Sequence, residues 1–308
     1  MNNRRKLLAG LTGIGGIGVA SSVGVGVLGG ISFPSEGCAC LKSLAEWCAE
    51  LEVQTKQRIG VYVISSDTVE FDFEEGHRWD EPFAMCSTFK WVLAAAVLKF
   101  VTDGALRLDQ SVPFSEVDIL EHAPVVRKNL PKGSLTVSEL CAAAVSVSDN
   151  SAANLLLPLV GGPAGLTHFV RSLGDNVTRF DRIEPALNTN EAGDPRDTTT
   201  PKAMARLLHK VFFGDVLPPA SVSLLKQWMV DATTGRDLIR SGVPKTWKAI
   251  VGDKTGRGAN GALNDVAIVW SASGVFDLVC VYTTGGQLTD PERRQVLARI
   301  GRYALIKS

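Results

Sequence analysis

Apolar and polar positions follow two rhythms along this chain, and the switches between them divide it. Over residues 41–57, apolar side chains fall at Leu41, Leu44, Ala45, Cys48, Leu51 and Val53, near the 3.6-residue period of an amphipathic helix. Over residues 58–73 the pattern becomes β-rich: IGVYVI and VEFDF flank Ser65, Ser66 and Asp67, which predicts a hairpin. Residues 87–228 read as helical, most strongly at 87–102, 137–144, 152–157 and 201–213, with Pro- and Gly-marked connections at 130–133 and 161–163. Beyond Val251 the strand rhythm returns in DVAIVWSASGVFDLVCVYTT, which turns at Ser273-Gly274, and residues 290–307 close the chain as a helix. Strands at both ends with helices between them predict an α+β fold. In it, a helical domain is inserted into a sheet domain built from both termini, and the cleft between them is where function is expected.

The first thirty residues stand apart. Arg4, Arg5 and Lys6 precede an uncharged, Gly-rich apolar run from Leu7 to Gly30, the layout of an export signal, assigned here to residues 1–37. The arginine pair followed by Leu7 and Leu8 resembles a twin-arginine signal, so an exported, periplasmic protein is expected, or a secreted one where the host lacks an outer membrane. With 32 basic and 32 acidic residues, the body has no net field to gather nucleic acid or an anionic membrane. Specificity must then come from a site; a small-molecule substrate, no stable membrane association after signal removal and a monomer are expected. The cysteines at 38, 40, 48, 86, 141 and 280 lack the paired spacing of a zinc site, and no cofactor or metal is called for.

Three short motifs carry chemistry. In Ser87-Thr88-Phe89-Lys90, opening an apolar helix, the three-residue spacing puts hydroxyl and ammonium on one face, as an activated nucleophile needs. Such a pair alone arises by chance about once in a chain of this length. Ser148-Asp149-Asn150 should occupy a turn between helices, where capping alone would account for it. Lys254-Thr255-Gly256 lies on a strand before a Gly-rich loop; Gly256 admits a close backbone approach, and Lys254 and Thr255 can grip a carboxylate.

Together, in this order, the three resemble the signature of class A β-lactamases and penicillin-binding proteins. Glu184-Pro185-Ala186-Leu187-Asn188 resembles the E-P-x-L-N motif of the β-lactamase class, in a long polar loop over residues 178–200. The resemblance runs from about Leu41 onward and points to the penicillinase or extended-spectrum type. It implies an α/β sandwich with a mostly antiparallel five-stranded sheet flanked by helices, residues 41–85 and 230–308 forming the sheet domain and 86–229 the helical one. It further implies that Ser87 is acylated, that Lys90, or Glu184 through a water, takes its proton, and that Ser148 relays a proton to the lactam nitrogen. Glu184 and Asn188 would then activate the deacylating water. Asn150, Lys254, Thr255, Gly256, Arg257 and Arg294 would bind substrate, Arg182 and Asp197 would pair across the loop's neck, and the Glu184-Pro185 bond would be cis. A D,D-peptidase shares the Ser-Lys machinery without needing Glu184, and a membrane-anchored β-lactam sensor would stop at acylation.

Several positions depart from the family pattern. Arg257 stands where a small residue is usual, free either to bind substrate or to crowd the oxyanion hole. Leu238 replaces a carboxylate-binding arginine found in some relatives, with Arg294 as its substitute. Cys86 meets Gly258 rather than a partner cysteine, so a buried free thiol is expected, and His122 reads as an exposed loop residue.

Overall fold

The computed structural model describes residues 27–28, 31–32, 42–67 and 72–308. The signal segment, apart from the short strand pair at 27–28 and 31–32, lies outside them, as do Cys38 and Cys40. Five strands form one antiparallel sheet: β1 (Gln57–Ser66), β2 (Phe73–His77), β3 (Ile250–Arg257), β4 (Leu263–Trp270) and β5 (Phe276–Gly285), in the order β2-β1-β5-β4-β3. Strands from both chain ends therefore meet at the β1–β5 pair, where Tyr62 opposes Cys280.

Side-chain alternation gives this sheet two buried faces. Ile59, Val61 and Val63 of β1 and Val279 and Val281 of β5 enter one core with helices α1 (Leu44–Thr55) and α8 (Asp290–Lys307). Trp47 of α1 stacks on Tyr303 of α8 at 4.6 Å between ring centroids. Tyr62, Ile64, Leu278, Cys280 and Tyr282 face the opposite way into the larger core. That core is filled by α2 (Phe89–Thr102), α3 (Val137–Ser146), α4 (Asn150–Leu156), α5 (Gly162–Ser172), α6 (Pro201–Phe213) and α7 (Pro219–Val230). In α2 every residue from Trp91 to Leu98 is buried, so the helix is apolar all round because it runs through the core rather than along it. Truncating one such leucine to alanine costs about 2–5 kcal/mol, enough to fix where the first residues of α2 sit.

The structure revises the expected elements in places. Val53, counted in the apolar stripe of α1, is 69% exposed. The second strand of the first hairpin runs through Phe73–His77, and residues 68–71 lie outside the described set. The expected connection at 161–163 is instead the start of α5: Gly161 and Gly162 take left-handed φ values of 85° and 69°, and Pro163 sits in the first turn, where its missing N–H is harmless. Cys48, Cys86, Cys141 and Cys280 are buried free thiols.

Candidate active site

Ser87 is placed by the turn before it. Cys86, at φ 47°, opens a 3-10 turn (Cys86–Thr88) that runs into α2, so Ser87 lies at the N-terminal end of a helix anchored in the core. The Thr88 hydroxyl donates to the Met85 carbonyl at 2.8 Å, and Asn264 Nδ2 of β4 donates to the carbonyls of Ala84 and Met85 at 2.9 and 3.1 Å. Strand β3 presses against the same turn. A Cβ at Gly256 would stand 2.6 Å from the Met85 carbonyl oxygen, so only glycine lets strand and turn approach this closely.

Beneath Ser87 lies a buried charge cluster. Lys90 Nζ, fully buried, meets Glu184 Oε1 at 2.9 Å and donates to the Ser148 carbonyl at 2.9 Å, Asn150 Oδ1 at 2.5 Å and Ser148 Oγ at 3.4 Å. The Ser87 hydroxyl donates to the same Glu184 Oε1 at 3.0 Å. Lys254 Nζ donates to Ser148 Oγ at 3.0 Å and to the Thr255 carbonyl at 2.9 Å. One hydroxyl, that of Ser148, therefore lies between two ammonium groups. Ser148 reaches it from φ 59° between α3 and α4, while Asp149 caps α4 through Ala152 N at 2.9 Å. Burial lowers the pKa of Lys90 although Glu184 opposes the shift, and burial followed by repulsion from Lys90 brings Lys254 down to about 7.

Glu184 enters this cluster from the long polar loop over residues 178–200, an Ω-loop. Its cis bond to Pro185 turns the chain, and Asn154 of α4 holds its backbone from both sides, accepting from Glu184 N at 3.0 Å and donating to Glu184 O at 2.9 Å. Asn188 Nδ2 donates to Glu184 Oε2 at 2.5 Å, while Asn188 Oδ1 is buried without a hydrogen-bond partner among the described residues. The loop's neck is closed by Arg182 Nε on Asp197 Oδ2 at 2.5 Å, with Asp197 Oδ1 accepting from the backbone of Asp181 and Arg182.

At the rim, Thr255 Oγ1 donates to Thr234 Oγ1 at 2.7 Å. The Arg257 side chain turns outward; it is 54% exposed and pairs with Asp290 at 2.7 Å. Arg294 is engaged by the same carboxylate at 3.0 Å and by Asp237 at 2.6 Å, and Leu238 is fully buried in the core. A Cβ at Gly258 would lie 2.6 Å from Cys86 Sγ, and burial, then the Glu184 carboxylate, push the Cys86 thiol up to about 12. His122 is exposed, its Nε2 3.0 Å from the Val147 carbonyl.

Hydrogen bonds and ion pairs thus join Ser87, Lys90, Ser148, Asn150, Glu184, Asn188, Lys254 and Thr255 into one connected cluster. Gly256 borders it, while the side chains of Arg257 and Arg294 belong to the rim. Two members escaped sequence reasoning: Thr234, and Asn154, which follows Asn150 by one helical turn and therefore shares its face.

Comparison with known proteins agrees in sequence and in fold. The model of the family described as "Beta-lactamase enzyme family" matches residues 43–306. The chain is 43% identical to Beta-lactamase L2 of Stenotrophomonas maltophilia, covering 94% of this chain and 95% of that protein. It is 44% identical to a β-lactamase of Mycobacterium tuberculosis (strain ATCC 25177 / H37Ra) over 82% of each. Among solved structures, the class A β-lactamase of the last common ancestor of Gram-negative bacteria superposes with a TM-score of 0.82 at 47% identity, over 86% of this chain and 98% of that one.

Proposed function

The chain belongs to the β-lactamase enzyme family as a class A serine enzyme that hydrolyses β-lactams, and from that premise we propose how its residues divide the work. The junction of Ser87 and Lys90 on one oxygen of Glu184 carries this reading. Ser87 Oγ attacks the lactam carbonyl carbon as its proton passes to Glu184. The developing oxyanion is held by the backbone N–H groups of Ser87 and Arg257, one such donor being worth about 2.7–4 kcal/mol. Lys90, in contact with both Glu184 and Ser148, takes that proton from Glu184 as it gives one of its own to Ser148, which delivers its proton to the departing ring nitrogen, so Glu184 is a carboxylate again. The acyl-enzyme is then attacked by a water held between Glu184 and Asn188; Glu184 takes the water's proton and the departing Ser87 oxygen regains one.

Lys254 and Thr255 receive the substrate carboxylate, beside Gly256, and Asn150 receives the side-chain amide. In the free enzyme Arg294 is held by Asp290 and Asp237, so it reaches a substrate only by exchanging those partners. The extended-spectrum reading rests on Arg294. Export through a twin-arginine signal to the periplasm, action as a monomer, and the absence of nucleic-acid or lasting membrane partners complete the proposal, supported by residues 4–30 and the balanced charge. The test is turnover of a chromogenic cephalosporin by the protein lacking its signal, abolished by Ser87→Ala; continued turnover by that variant would sink the assignment.

A further inference from the structure

The Ω-loop is stitched to the turn between β3 and β4 by two asparagines that no motif singles out. Asn190 Nδ2 donates to the Ala259 carbonyl at 2.9 Å and to Thr284 Oγ1 at 2.8 Å. In the other direction, Asn260 Nδ2 donates to the Asn190 carbonyl at 2.8 Å. Between them, Ala259 N donates to the Asn188 carbonyl at 2.9 Å. Asn260 is itself tied to β5, its carbonyl accepting from Gly285 N at 2.7 Å and Thr284 Oγ1 at 3.2 Å. Both asparagines adopt left-handed backbone, φ 46° and 51°, which few side chains other than Asn tolerate.

These bonds join two segments with different tasks. The β3–β4 turn follows Arg257, whose N–H is the proposed oxyanion donor; the loop beyond Glu184 carries Asn188. Glu184 is held mainly from elsewhere, its backbone by Asn154 and its Oε1 by Lys90, and only its Oε2 meets Asn188. Asn188 does depend on it: its carbonyl is gripped by Ala259, and Asn190, two residues on, fixes Ala259 in turn. We propose that Asn190 and Asn260 are positioning residues, a reciprocal amide clasp that holds Asn188 at a fixed distance from the oxyanion strand and so governs deacylation rather than acylation. This rests on the reading of Glu184 and Asn188 as the holders of the deacylating water.

Asn190→Gly and Asn260→Gly remove the amides while keeping the left-handed backbone free of strain. With a chromogenic cephalosporin in stopped flow, each variant is expected to lower the deacylation rate constant about tenfold while acylation changes less than about twofold. KM then falls with kcat, kcat/KM holds, and acyl-enzyme accumulates by mass. A loss of melting temperature with unchanged deacylation, or an equal fall in both rate constants, overturns the clasp; if one variant does not fold, the other carries the same test. Glu184→Gln, run alongside, separates the two ideas. Normal deacylation by that variant removes the underlying reading, whereas a stalled Glu184→Gln beside an unimpaired Asn190→Gly removes only the clasp.

Discussion

The floor and the rim of the cleft are built from the same chemistry, acids set against bases, and they behave differently because one is dry and the other wet. On the floor, Lys90, Glu184 and Lys254 are each at most 2% exposed, and every polar atom counts because water cannot replace a lost partner. At the rim, Asp237, Arg294, Asp290 and Arg257 alternate in sign with side chains 28–59% exposed, where pairs are screened and exchange freely. Burial shifts the pKa values of the lysines on the floor, whereas exposure leaves the rim pairs free to exchange partners.

The sharpest break in this contrast is Glu184→Gln on the floor. Its kcat should fall about 10²- to 10⁴-fold; turnover within tenfold of the parent would deny the floor its special status. Next comes pH. Lys254 has its pKa held down to about 7, so its ammonium is present below that pH and lost above it. A substrate carboxylate favours the charged form and raises the pKa on binding. The kcat/KM profile should therefore descend about tenfold per pH unit above neutrality while kcat stays level further up, and a carboxylate-esterified substrate should lack that limb. A coincident fall in both parameters would count against Lys254 as the carboxylate's partner. Smallest is Asp290→Asn at the rim, which releases Arg257 and leaves Arg294 with Asp237 alone. Stability should change by less than about 1 kcal/mol, while KM for β-lactams bearing a second carboxylate drops a few-fold and loses that gain in high salt. A destabilisation of several kcal/mol would place Asp290 with the floor instead.

What could be read in advance divides along similar lines. The short apolar runs of β1, β4 and β5 and the long apolar run of α2 announced themselves, because burial on both sheet faces or inside a core leaves near-continuous hydrophobic segments in the sequence. Helix α5 did not, since Gly161, Gly162 and Pro163 look like breaks even where they serve as a helix start. Ser87, Lys90, Ser148, Glu184 and Lys254 stood out through motif and order. Asn154, Thr234, Asn190 and Asn260 carry no motif: their importance lies in partners 21–94 residues distant in sequence, a relation only the folded chain displays. Arg257 and Arg294 were visible as charges, but that Asp290 would claim both was not.

Cys86, Ser148, Asn190, Asp197 and Asn260 share one trait: each takes a left-handed backbone that glycine would accept with less strain. Glycine there would relieve the local backbone strain, yet it would also remove a thiol, a hydroxyl, two amides and a carboxylate. Backbone strain at these five positions is the local cost of placing a functional group at the cleft or in the loop beside it.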